Sequence, residues 1–147
     1  ALNRTPPIGF FREFVTEKDG QQNDSINVKR RGTAPLTDLI RIHALACGSQ
    51  AQNSFERLAD IKTTSLLGPG VADRLSYSLE VLSLARLRDQ VLDIEQEREP
   101  DNNIEPRNVP AKQRAEIKEA FRALSDAQKF LRFRYPMPSG GLQKRGR

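Results

Sequence analysis

A single cysteine, Cys47, excludes an internal disulfide, and a single histidine, His43, leaves no zinc constellation at usable spacing. One thiol in 147 residues suits a reducing compartment, and the expected location is cytoplasmic. No run approaches the roughly 18 apolar residues of a membrane span, and the opening residues carry no signal-peptide pattern, so no membrane partner is expected. Metal-assisted phosphoryl or nucleotidyl transfer needs a phosphate-gripping loop and converging carboxylates. Gly48-Ser49 is the one Gly-Ser pair near a helix start, and Gln50-Ala51-Gln52-Asn53 follows it with no closely spaced aspartate pair beyond. The catalytic half of such a site is missing, so no catalytic residue, metal or cofactor is assigned to this chain. His43 and Cys47 stand one helical turn apart, but no third group orients the imidazole, and both read as packing residues.

What the chain has is charge. Lys and Arg number 24 against 19 Asp and Glu, a net charge of +5, and 37% of residues are hydrophobic. That balance describes a soluble helical protein with a charged exterior, for which phosphates and polyanions are natural partners. Three of the positive charges sit in Gln143-Lys144-Arg145-Gly146-Arg147, which leaves the body nearer neutral.

Three stretches divide one domain. Residues 1–33 read as an extended N-terminal arm ending in a basic corner. In this arm Phe10-Phe11-Arg12-Glu13-Phe14-Val15 and Ile26-Asn27-Val28 have the composition of short strands that could pair as a hairpin. An uncovered Phe10–Val15 patch would also favour a homodimer. The corner itself is Lys29-Arg30-Arg31-Gly32, three cations before a glycine of permissive backbone, with Pro35 opening a helix. It faces either an anionic ligand or water and salt bridges. The chain starts at Ala1 in an already hydrophobic segment, which reads as part of something larger.

Residues 34–135 read as an all-α, antiparallel bundle of about four main helices. Leu36, Ile40, His43 and Cys47 form one stripe that ends at Gly48; Asn53 caps a short second helix, with Glu56 three positions on. Val71 to about Glu99 is the long helix. Its stripe runs Val71, Leu75, Leu79, Leu82, Arg86, Gln90, Asp93 and turns polar at its end, as the wall of a site or as a helix end in water. Apolar residues on its other faces, Tyr77, Leu84, Leu87, Val91 and Ile94 among them, predict a helix surrounded by neighbours. A proline-punctuated crossing from Pro100 to Pro110 leads to the last helix, with the stripe Ile117, Ala120, Phe121, Leu124, Gln128, Leu131, Tyr135. Residues 136–147 read as a loose basic tail.

Two further patterns favour bland readings. Asp93, Glu95, Glu97, Glu99 and Asp101 alternate along a helix, so they do not converge on one ion unless the chain bends. Phe130 to Tyr135 interleaves aromatics and cations as single-strand nucleic-acid binders do, yet Leu131 and Tyr135 belong to the core stripe.

Lys29-Arg30-Arg31-Gly32, Pro35 with Asp38 and Arg41, Asn53 with Arg57-Leu58, Arg86-Leu87-Arg88-Asp89-Gln90, Glu99-Pro100-Asp101-Asn102 and Glu119-Ala120-Phe121 occur in the order and approximate spacing of a bacterial family. The chain resembles the nucleotidyltransferase substrate-binding domain, the helical C-terminal part of signalling-type proteins that also carry CBS-pair or cyclic-nucleotide-binding domains. The resemblance implies an upstream nucleotidyltransferase catalytic domain as partner, with Mg²⁺ and a nucleoside triphosphate used by that parent enzyme. It implies a role in holding a nucleotide or an acidic protein substrate. Lys29, Arg30, Arg31, Arg41, Arg86, Arg88 and Gln90 are the expected substrate-binding residues, guanidinium being suited to bidentate recognition of phosphate. A structural module that docks sensor and catalytic domains is the alternative, and a nucleic-acid-binding module the third.

Overall fold

The structure, a computed structural model, describes residues 25–135. The Phe10–Val15 run and the 136–147 tail lie outside the described residues. The chain enters through a two-residue strand β1 (Ile26–Asn27), makes one π-helical turn (Lys29–Thr33) and continues without a break into α1 (Ala34–Ala46). Helices α2 (Ser54–Lys62) and α3 (Val71–Glu95) follow. The crossing then holds strand β2 (Asn103–Ile104) and a single 3₁₀ turn (Pro106–Asn108) before α4 (Ala111–Arg134). The described residues form an all-α bundle of four helices with one two-stranded sheet. None of their helices is long and apolar enough to cross a membrane.

Each helix starts and stops for a local reason. Asn53, in extended conformation, accepts the Glu56 N–H on its Oδ1 at 2.9 Å and so caps α2. Gly48 and Gly70 take positive φ (75° and 80°), which lets the chain turn out of α1 and into α3. The last helix ends as its stripe does, near Tyr135. Its buried residues Ile117, Ala120, Phe121, Leu124, Gln128 and Leu131 are those of the sequence stripe. They pack mainly on α3, whose buried side is Leu75, Leu79, Leu82 and Ala85. The two helices run antiparallel: Leu75 shares a cavity wall with Ala127, and Ala85 shares another with Ile117.

Three expectations change, and one strand pairing is added. The basic corner is helical, not a bent loop. Gly32 has no positive φ and is needed for close approach instead: a Cβ there would lie 3.2 Å from both Leu82 Cδ1 and Phe121 Cε1. Strand β1 pairs with β2, antiparallel with Ile26 opposite Ile104, which ties the entry of the chain to the crossing. The long helix is not surrounded. Tyr77, Leu84, Leu87, Val91 and Ile94 are between 41% and 61% exposed, on the side away from the core. One side of α3 packs against the rest of the bundle, and the remaining face meets solvent.

Candidate functional site

The π-helical turn places Lys29 on an open groove of about 390 Å³, and α3 places Arg86 on the same groove. Thr33 and Thr37 come from the turn and α1, Asn53 and Ser54 from the start of α2, and Ser83 from α3. The groove therefore offers two cations, four hydroxyls and a side-chain amide, and no carboxylate among its described lining residues. Lys29 is exposed, on a turn whose backbone is anchored because Gly32 and Thr33 are buried against the bundle. Asn27 caps the turn by accepting the Arg30 N–H at 2.9 Å.

The other expected residues divide among three places. Arg30 and Arg31 are exposed on the turn that carries Lys29. Gln90 stands one helical turn beyond Arg86, and both donate to Asn102 Oδ1, at 3.4 Å and 3.0 Å. Asn102 in turn accepts the Val28 N–H on its backbone oxygen at 2.8 Å, so one residue of the crossing clasps both α3 and the entry segment. Arg41 lies further along α1 in an exposed pair with Asp38 at 3.3 Å. Arg88 faces a different, smaller recess of about 60 Å³ with Asp89 and Gln113. The structure thus brings Lys29 and Arg86 together, with Gln90 behind, and does not bring Arg41 or Arg88 to them.

Of the alternating acidic run only Asp93 and Asp101 come together, and they meet Asp89, because the chain bends. Glu97 takes a positive φ of 59° just after α3, and the chain folds back so that single oxygens of Asp89, Asp93 and Asp101 lie within 4.8 Å of one another. Arg98 occupies the same corner, donating to Asp93 Oδ1 through Nε at 3.2 Å and Nη2 at 2.6 Å, and also to Gln96. That guanidinium holds the buried Asp93 carboxyl below its usual range, while burial and the neighbouring Asp93 and Asp101 charges push Asp89 up to about 6. These three aspartates are the described residues that could hold a cation, but the arginine already supplies positive charge there.

A second recess, of about 140 Å³, opens at the other end of α3. Val71 and Leu75 form one wall, Ala123, Ala127 and Phe130 of α4 another, and His43, Arg74 and Asp126 are the polar residues around it. His43 is 1% exposed, its Nδ1 has no hydrogen-bond partner among the described residues, and its ring stacks on Phe130 at 6.0 Å between centroids. Burial and then the Arg134 charge lower its pKa, so the imidazole is neutral. Arg74 at the mouth is held by Glu119 at 2.9 Å and Asp126 at 3.0 Å.

Sequence reading missed Asn102, Ser83 and the threonines of the groove. Nothing periodic marks Asn102, whose partners come from a non-repeating crossing. The alanine pair Ala123 and Ala127, one turn apart, was the available signal for the second recess.

Residues 1–135 match the model of a family described as Putative nucleotidyltransferase substrate binding domain. No curated protein and no solved structure matches the chain.

Proposed function

The chain belongs to the putative nucleotidyltransferase substrate binding domain family, and from that premise we propose that the Lys29–Arg86 groove receives the phosphates of a nucleotide and holds it for a linked nucleotidyltransferase domain. The observation that supports this reading is the meeting of two cations from separate elements in one groove with the Ser54 and Ser83 hydroxyls and no described carboxylate, the Thr33 and Thr37 hydroxyls being donated to the Lys29 and Ala34 carbonyls. Phosphate oxygens need charge-assisted donors, and Arg86, tethered through its Nε to Asn102, and Lys29 on the neighbouring turn provide them. Arg30 and Arg31 add positive potential near the entrance, while Arg41 and Arg88 act only at a distance. Mg²⁺ and the bond-making chemistry belong to the linked catalytic domain on this reading.

Titration calorimetry with ATP, and with adenosine as the phosphate-free control, tests it. Lys29→Ser/Arg86→Gln is expected to weaken ATP binding about 10-fold or more, the equivalent of roughly 1.4 kcal/mol or above, and Arg41→Ala to change it less than twofold. Unchanged ATP affinity in the double variant would overturn the assignment.

One observation favours a second reading, in which the domain docks its neighbours. Tyr77, Leu84, Leu87, Val91 and Ile94 are exposed along α3 at spacings of three, four and seven, the period of a helix that packs on another. On that reading Leu87→Glu releases the linked catalytic domain without altering the affinity for ATP, which analytical ultracentrifugation of the two separately expressed parts would detect.

A further inference from the structure

The groove that carries Lys29 and Arg86 is not cationic along its whole length. Phe55, at the start of α2, lines it as well, and so does Leu79 of α3. Lys62 at the end of α2 pairs with Asp73 in the first turn of α3 at 2.9 Å. Phe55 is seven positions before Lys62 and Leu79 six positions after Asp73, so the two antiparallel helices set Phe55 level with Leu79. Lys29 lies level with Arg86, because the neighbouring Val28 and Arg86 are both bonded to Asn102. Leu79 and Arg86 are two turns apart on α3, about 10 Å of helix rise. The groove therefore has a cationic end and an aromatic end.

Phe55 is free to act on a ligand. It is 48% exposed, and the burial of α2 falls to Leu58 and Ile61 instead. Its backbone is fixed, since it stands in the first turn of the helix that Asn53 caps. A solitary exposed apolar side chain is ordinary; its place on the cationic groove is what gives it a role. A phosphate chain alone would use only the Lys29–Arg86 end. The groove holds about 390 Å³, within the range of about 300–1,000 Å³ that whole small-molecule ligands occupy.

We propose that Phe55 is a base-stacking residue, and that the ligand of this groove is a nucleoside phosphate lying along α3 with its base on Phe55 and its phosphates at Lys29 and Arg86. Ser83, one turn from both Leu79 and Arg86, then faces the sugar. The role of Phe55 rests on the phosphate reading of the groove and adds the other half of the ligand to it. Every base has a π-face, so stacking selects nucleotides from other phosphates without selecting one base.

Calorimetry with ATP and with tripolyphosphate, which keeps the phosphate chain and lacks the base, separates the two ends. Phe55→Ala is expected to weaken ATP about 10-fold, as loss of one base–aromatic stack does, and to leave tripolyphosphate within about twofold. Lys29→Ser/Arg86→Gln should weaken both. The chain has no tryptophan, so Phe55→Trp installs a single indole at the site; ATP should quench its fluorescence saturably and tripolyphosphate should not. That variant also carries the test if Phe55→Ala does not fold. Unchanged ATP affinity in Phe55→Ala, an equal loss for tripolyphosphate, or quenching by both ligands alike would overturn the proposal. Loss of ATP binding in the double variant with none in Phe55→Ala removes the stacking and leaves the phosphate reading standing, whereas no loss in the double variant removes both.

Discussion

Gly32 lies against the face of the core where Phe121 is fully buried, close enough that a Cβ on the glycine would stand 3.2 Å from the Phe121 ring. The contact joins the π-helical turn to α4 across α3, because Leu82 Cδ1 is at the same 3.2 Å. Replacing a helical glycine by alanine normally gains up to about 1 kcal/mol. Here the two neighbours are themselves wholly buried and have nowhere to move, and overpacking costs about 1–3 kcal/mol. Gly32→Ala is therefore expected to destabilise by about 1 kcal/mol in urea unfolding. In a Phe121→Leu background the same change should be neutral or stabilising; a stabilising effect in the parent chain would contradict the packing.

Asn102 accepts from Arg86 and Gln90 with its side chain and from Val28 with its backbone. Asn102→Ala removes the side-chain acceptor and leaves two part-buried donors without it, at an expected cost of about 1–2 kcal/mol. Asn102→Asp keeps an acceptor in place and should recover most of that loss. Denaturant midpoints of the two variants separate a lost hydrogen bond from lost packing.

Asp89 titrates with its carboxyl raised to about 6, chiefly by burial and next by the charges of Asp93 and Asp101. A carboxyl raised above its unfolded value of about 3.9 favours the folded state below that value, and the advantage is lost as the pH climbs through 6. Asp89→Asn should thus stabilise the protein at pH 7.5 by about 1 kcal/mol, solvent screening having reduced the full linkage value, and do little at pH 4. Asp93, lowered by Arg98, has the opposite sign: its contribution is present above the unfolded pKa and lost on acidification. Asp93→Asn should be destabilising at pH 7.5 and progressively less so toward pH 3. Unfolding curves at the two ends of this range check both signs.

His43 is depressed by burial first and by Arg134 second. Its neutral form belongs to the folded state, so its contribution is intact above about 6.5 and is lost as the pH falls through its lower folded value. Asp89 moves the other way in part of the same window, so the whole-protein profile mixes the two. The difference between the parent chain and His43→Phe isolates the histidine: the parent should lose stability relative to the variant between pH 7 and 5.

Periodic stretches were legible in the sequence, and their partners were not. The α4 stripe from Ile117 to Leu131 repeats at helical spacing and is buried as read, because one face of a long helix must lie on something. The polar end of the α3 stripe, Arg86, Gln90 and Asp93, could be read as a site wall or as a solvated end. The structure adds that these residues hold the returning chain, through Asn102 for the first two and through the Asp101 N–H at 3.3 Å for the last. That segment has no period, so no pattern announces the contact. Tyr77, Leu84, Leu87, Val91 and Ile94 show the converse limit: apolar spacing marks a face that can pack, but not whether this chain has anything left to cover it. Lys29 and Arg86 stand together among the expected substrate-binding residues, but no pattern in the sequence separates them from Arg41 and Arg88 of the same set. The groove shared by Lys29 and Arg86 depends on how the turn sits on α3, which Gly32 decides.

The pairing of Ile26 with Ile104 closes a loop containing α1, α2 and α3, with α4 outside it. Closing so long a loop costs chain entropy that two residue pairs repay poorly, while α4 can dock on α3 across a short crossing. The ladder is then the fastening applied after the helices have assembled. Weakening it by Ile26→Ala should raise the unfolding rate and leave the refolding rate almost unchanged, the signature of a contact absent from the transition state.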